Sequence, residues 1–73
     1  MKTVGQVIRE KRIENGWSLT QLSMKIGADP STISKWENHN RTPHLRFVLK
    51  MTRIFNCTVD ELFGYRYERE HDL

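Results

Sequence analysis

Apolar residues recur along this chain at steps of three and four, and no stretch alternates with period two. Val4, Val7 and Ile8, followed by the aliphatic stems of Lys11 and Arg12, form one such stripe and predict a first helix from about Thr3 to Asn15. Thr3 suits the N-cap, and Asn15-Gly16 reads as a stop because glycine takes the left-handed conformation without steric cost. Ser18 offers the next cap. Leu19, Leu22 and Ile26 carry a second helix to about Lys25, with Gly27 ending it. Asp29-Pro30 supplies a capping carboxylate and then a proline at the first helical position, opening a third helix from Pro30 to Asn38. Ile33 and Trp36 fall on its inner side, Ser31, Ser34, Lys35 and Asn38 on the other. Asn40-Arg41-Thr42-Pro43 reads as a loop.

Leu45, Val48, Leu49, Thr52 and Phe55 mark a fourth helix that stops at Asn56. Thr58 to Glu61 has the form of a capping box, in which hydroxyl and carboxylate each satisfy the other residue's amide. It would open a short fifth helix burying Val59, Leu62 and Phe63 and ending at Gly64. The pattern predicts an all-α domain, a compact bundle of five short helices over residues 1–64, with a polar, acidic tail over 65–73.

Composition narrows what such a bundle can do. With 73 residues the chain holds one domain, too small to wall a substrate cavity between two. One cysteine allows no internal disulfide and fits a reducing, intracellular setting. No apolar run nears the roughly 20 residues of a membrane helix, and residues 1–9 lack the apolar core of a secretory signal. Charge is uneven: residues 30–53 carry five bases against Glu37 alone, whereas residues 54–73 carry two bases against five acids. A basic middle suggests one face for a polyanion, although charge alone fits a plain solvated surface equally well.

The segment from Ser18 to Asn38 carries more information. Two short helices joined through Ile26-Gly27-Ala28 make a helix-turn-helix pattern. Leu22 and Ile33 must meet in the angle between the helices, Ser23 must be small where the second helix crosses, and Gly27 permits the tight turn. The outward face of the second helix is short-chained, polar and singly basic, which suits a helix pressed into the DNA major groove. Ser31, Thr32 and Ser34 can donate or accept there, and Lys35 can reach a guanine edge or a phosphate.

With Ile8 to Arg12, Gly16-Trp17-Ser18, Leu22-Ser23, Ile26-Gly27-Ala28, Ser31 to Asn38 and Asp60 to Phe63 all in register, the chain resembles the Cro/C1-type (Xre-like) helix-turn-helix regulators, over about Val4 to Phe63. The resemblance implies a lambda-repressor-like fold and a sequence-specific regulator of transcription, most often a repressor, binding double-stranded DNA as a dimer on a palindromic operator. It implies base reading by Pro30 and Ser31, further base or backbone contacts from Ser34 and Lys35, and phosphate contacts from Asn38 and Arg41. It also implies a phosphate clamp at Ser18 and a bridge between Arg12 and Glu37. Leu19 stands where the family often has a phosphate-binding glutamine, so Thr20 or Gln21 would have to serve. His39 stands where glycine is common, so His39 or Asn40 would turn left-handed. The dimer surface is expected near helix five, the loop before it, or Tyr65 to Tyr67, and the location in the bacterial cytoplasm, at the nucleoid.

Other chemistries find little support. His39, His44, His71 and Cys57 match no zinc spacing, and Asp60-Glu61 is explained by capping. No phosphate loop, nucleophile elbow or catalytic carboxylate pair occurs, so no enzyme, cofactor, metal or small-molecule ligand is expected. The competing reading is a protein-interaction module, such as an antitoxin, whose acidic end Glu68 to Leu73 grips a basic partner.

Overall fold

The computed structural model describes residues 2–64. These form five helices: α1 (Val4–Glu14), α2 (Leu19–Ile26), α3 (Pro30–Asn38), α4 (Leu45–Phe55) and α5 (Val59–Leu62). The tail from Tyr65 to Leu73, with the acidic end and part of the expected dimer surface, lies outside the described residues.

Local chemistry sets most of the boundaries. The Thr3, Ser18 and Thr58 side chains each accept a hydrogen bond from the amide three residues on, and the Gln6, Gln21 and Glu61 side chains each accept one from the cap's own amide. These three capping boxes satisfy donors that a helix N-terminus otherwise leaves open. Gly27 and Asn56 end α2 and α4 in the left-handed region, at φ 75° and 54°. Asn40 takes the left-handed turn after α3 at φ 52°, while His39 stays at φ −122°.

One core joins the helices. Ile8, Leu22, Ile26, Ile33, Val48, Met51 and Leu62 are almost wholly inaccessible, with Trp36 and Phe55 beside them. α3 packs against both α1 and α2, α4 against α2 and α5, and α5 returns to α1. The α1–α3 crossing depends on Gly5, since a Cβ there would overlap the Trp36 carbonyl. Two aromatic pairs tie α4 to the rest: Trp17 stacks on Phe55 at 5.8 Å and Trp36 meets Phe47 at 5.6 Å, separations typical of attractive ring pairs.

Four details depart from the sequence pattern. α2 runs one residue beyond Lys25, so that Ile26 packs as its last helical residue. Asp29 makes no side-chain cap: its carbonyl takes the amides of Thr32 and Ile33, and Pro30 has no amide to satisfy. The buried stripe of α4 is Val48, Met51 and Phe55, whereas Leu45 and Leu49 are exposed. Val59 is exposed too, leaving Leu62 as the buried anchor of α5 and Phe63 half-buried.

Candidate nucleic-acid interface

The inner side of α3 is held by carbon and by one buried charge pair. Ile33 and Trp36 enter the core, so their ridge fixes the helix's rotation about its axis. Glu37, one residue on, reaches back toward α1. Arg12 Nε donates to Glu37 Oε2 at 2.8 Å and Arg12 Nη2 to Oε1 at 3.1 Å, while Arg12 Nη1 donates to the Trp17 carbonyl at 2.9 Å. One guanidinium thus joins α1, the turn before α2 and the end of α3. The bidentate geometry matches the planar fork of arginine, which lysine could not reproduce. Hydrogen bonding to Glu37 holds the Arg12 pKa above its ordinary value, against the opposing effect of burial.

This pairing also decides the electrostatics of the outer surface. The Glu37 side chain is 1% exposed. It is the single acid between residues 30 and 53, so the charges that stretch shows to solvent are all basic: Lys35, Arg41, Arg46, Lys50 and Arg53 are exposed.

The outer side of α3 carries short polar groups. Ser31, Lys35 and Asn38 are exposed, whereas Pro30, Thr32 and Ser34 are half-buried. Helical spacing places Ser31, Ser34, Lys35 and Asn38 on one ridge. Asn38 Nδ2 donates to Ser34 Oγ at 3.1 Å. Arg41 follows in the exposed loop beyond Asn40.

The α2 end is built differently from what Thr20 or Gln21 alone would suggest. Gln21 is engaged in the capping box, its Oε1 accepting from the Ser18 amide at 2.8 Å, while Ser18 Oγ accepts from the Gln21 amide at 3.1 Å. The Gln21 carboxamide keeps its NH2 donors for an anion, and Thr20 is exposed in the first turn of the helix. The N-terminus of α2 therefore presents donors and the positive end of a helix dipole together.

Other supports left no clear mark in the sequence. Lys50 of α4 donates to the Ile26 carbonyl at 3.3 Å, satisfying the open end of α2 beside the Gly27 turn. Lys25 lies over the Trp17 ring at 4.6 Å, and the same ring stacks on Phe55. Arg46 lies over Phe47, at 4.8 Å from the ring centroid. The Lys50 contact joins residues 24 apart along the chain, so helical spacing could not reveal it. Among the described residues no group of three or more His, Cys, Asp or Glu could hold a metal ion, and no helix is long and apolar enough to cross a membrane.

A helix-turn-helix family profile matches residues 8–62. The chain belongs to the helix-turn-helix family, in its Cro/C1-type, Xre-like branch. It is 33% identical over 70 residues to the HTH-type transcriptional regulator SinR of Bacillus subtilis, covering 94% of this chain and 63% of SinR. The chain thus spans somewhat less than two thirds of that regulator's length. The crystal structure of SinR, the master regulator for biofilm formation, in complex with DNA superposes with a TM-score of 0.73 at 33% identity, over 82% of this chain and 97% of that one. The P22 c2 repressor in complex with a synthetic operator superposes with a TM-score of 0.80 at 23% identity, over 88% of this chain and 97% of the repressor's, a likeness of fold. The helix-turn-helix pair, α2 and α3, lies wholly within the matched segment, as does the Arg12–Glu37 bridge.

Proposed function

We propose that this protein is a sequence-specific, double-stranded DNA-binding regulator of transcription, acting as a repressor, with α3 entering the major groove. The observation that carries the reading is the division of α3 into two sides. Ile33, Trp36 and the buried Glu37 anchor one side, and Ser31, Ser34, Lys35 and Asn38 lie on the other, with Ser34 half-buried and bonded to Asn38. Short side chains let the helix approach base edges, and a rigid inner side fixes which of them arrive there.

Recognition divides into two physical parts. Lys35 and the α3 hydroxyls meet base edges and discriminate among sequences. Arg41, Asn38, the Ser18–Gln21 end of α2 and the basic surface of α4 meet phosphates, releasing counterions and making affinity fall with salt. One domain covers one half-site, so two copies on a two-fold symmetric operator are the arrangement this geometry serves. A cytoplasmic location follows from that role.

The test is a fluorescence-anisotropy titration with the duplex upstream of the protein's own coding sequence, beside a scrambled duplex, each at two salt concentrations. Tight binding to the upstream duplex, with a two-fold symmetric footprint, is the expected result. Equal binding to both duplexes would reduce the protein to a general DNA-coating domain. Absence of binding to either at low salt would remove the proposal.

A further inference from the structure

The serines and threonines inside the helices do not all use their hydroxyls alike. Ser23 Oγ donates to the Thr20 carbonyl at 2.7 Å and Thr52 Oγ1 to the Leu49 carbonyl at 2.8 Å, the usual recourse of a hydroxyl in a helix. Ser34 is different. Its oxygen accepts from Asn38 Nδ2, and among the described residues its own proton goes to no protein acceptor.

That bond has a direction with chemical consequences. A free serine hydroxyl rotates and presents a donor or an acceptor as its surroundings require. Once a lone pair is occupied by the Asn38 amide, the O–H is biased outward as a donor. Lys35, the neighbour on the same ridge, is a donor under all conditions. The middle of the outer face of α3 thus offers donors side by side.

We infer that Ser34 and Asn38 act as one reading unit, in which Asn38 sets Ser34 as a hydrogen-bond donor and thereby selects a base with a major-groove acceptor edge, guanine fitting best. The inference rests on α3 being the groove-entering helix and adds the class of base it meets. Guanine presents two acceptors, N7 and O6; adenine presents one beside a donor; cytosine presents a donor alone. Asn38 is then a positioning residue for base reading as well as a neighbour of the phosphates.

The experiment has two arms. In the first, the wild-type protein selects its best site from a random duplex pool. Single-base variants of that site are then titrated with wild type, Ser34→Ala, Asn38→Ala and the double variant. The expected result is a guanine at one step, where both single variants lose about three- to tenfold of the discrimination. The double variant loses no more there than Ser34→Ala alone. Three results would overturn the inference: losses at different steps that multiply in the double variant; a uniform loss on all duplexes from Asn38→Ala with base preference intact; or cytosine preferred at the shared step, which means the amide is turned and accepts from Ser34.

The second arm needs no DNA. In the nuclear magnetic resonance spectrum of the free protein, the Asn38 side-chain NH2 resonances should move on Ser34→Ala while the backbone amides of α1 hold their positions. Unmoved Asn38 side-chain resonances dispose of the pair even if DNA binding is specific. A wild-type protein that selects no duplex removes the DNA reading and this inference with it, whereas the spectrum still reports on the pair.

Discussion

α3 and α4 are neighbouring helices of similar length, yet they hold their positions by different means. α3 lies between α1 and α2, has a glycine-thin crossing at Gly5, and ends in the buried Arg12–Glu37 bridge. α4 is opened by His44, whose Nδ1 accepts from the Arg46 amide at 3.1 Å, and it leaves Leu45 and Leu49 in solvent beside the buried Val48 and Met51. The helix proposed to read DNA thus adds a buried ion pair to its apolar ridge of Ile33 and Trp36, whereas α4 is fixed mainly by apolar and aromatic burial, with one bond from Lys50 to the end of α2. Directional contacts set an angle and a register. Apolar burial supplies stability and tolerates rotation and repacking more readily.

The largest effect tests the directional side. Arg12→Ala leaves Glu37 buried without its partner and should cost about 3–5 kcal/mol of stability, measured by urea denaturation. A loss under about 1 kcal/mol would mean that water reaches Glu37 readily and that the bridge contributes little to holding α3. Next comes the contrast within α4. Met51→Ala should cost about 2–5 kcal/mol, whereas Leu49→Ala should stay within about 0.5 kcal/mol. Similar costs for the two would place Leu49 in a packed surface and erase the distinction drawn between the faces of α4.

Binding probes the outward side. Lys35→Ala should weaken the specific duplex by about 1–3 kcal/mol and relax preference at one base step. Arg41→Ala should weaken specific and random duplexes alike and flatten the salt dependence. Anisotropy titrations with both duplexes check this, and equal losses from the two variants on both duplexes would contradict the division of roles.

The smallest effect lies at α5. Hydrogen bonds from the Thr58 backbone and side chain hold the Glu61 carboxyl below its ordinary value. A lowered folded pKa means that the ionised form favours the folded state. That contribution is complete above the unfolded pKa and fades as pH falls through the lowered folded one. Glu61→Gln should therefore be slightly less stable than wild type at neutral pH and converge with it in acid, as thermal denaturation at several pH values would report. A gap that persists unchanged into strong acid would assign the difference to something other than the charge.

Much of this architecture was legible beforehand because it depends on neighbours in sequence. The caps at Thr3 and Ser18 and the box at Thr58 were read from sequence, since they need partners only three residues away, whereas the return contacts of Gln6 and Gln21 were not; Gly27 and Asn56 end helices through their own backbone freedom. α3 was legible to its last residue, since Pro30 starts it and Asn38 closes it. The fourth helix was less so. Leu45 and Leu49 satisfy helical spacing as well as Val48 and Met51 do, and periodicity gives a stripe without saying which of two adjacent stripes meets the core. Asp29 makes no side-chain cap, and its carbonyl takes the Thr32 amide that such a cap could have engaged.

Alone, the sequence determined the number and order of the helices, the turn at Gly27 and the polar character of the outer side of α3, because these rest on local conformation and on residue type. Tertiary packing decided the remainder. It buried Glu37 under Arg12 and left residues 30–53 with exposed charges of positive sign alone. It brought the Lys50 ammonium to the end of α2, and it chose Val48 over Leu49 for the core. The physical reason is the same in each case: a side chain's burial and partners depend on residues brought close by folding, and spacing along one helix carries no record of them.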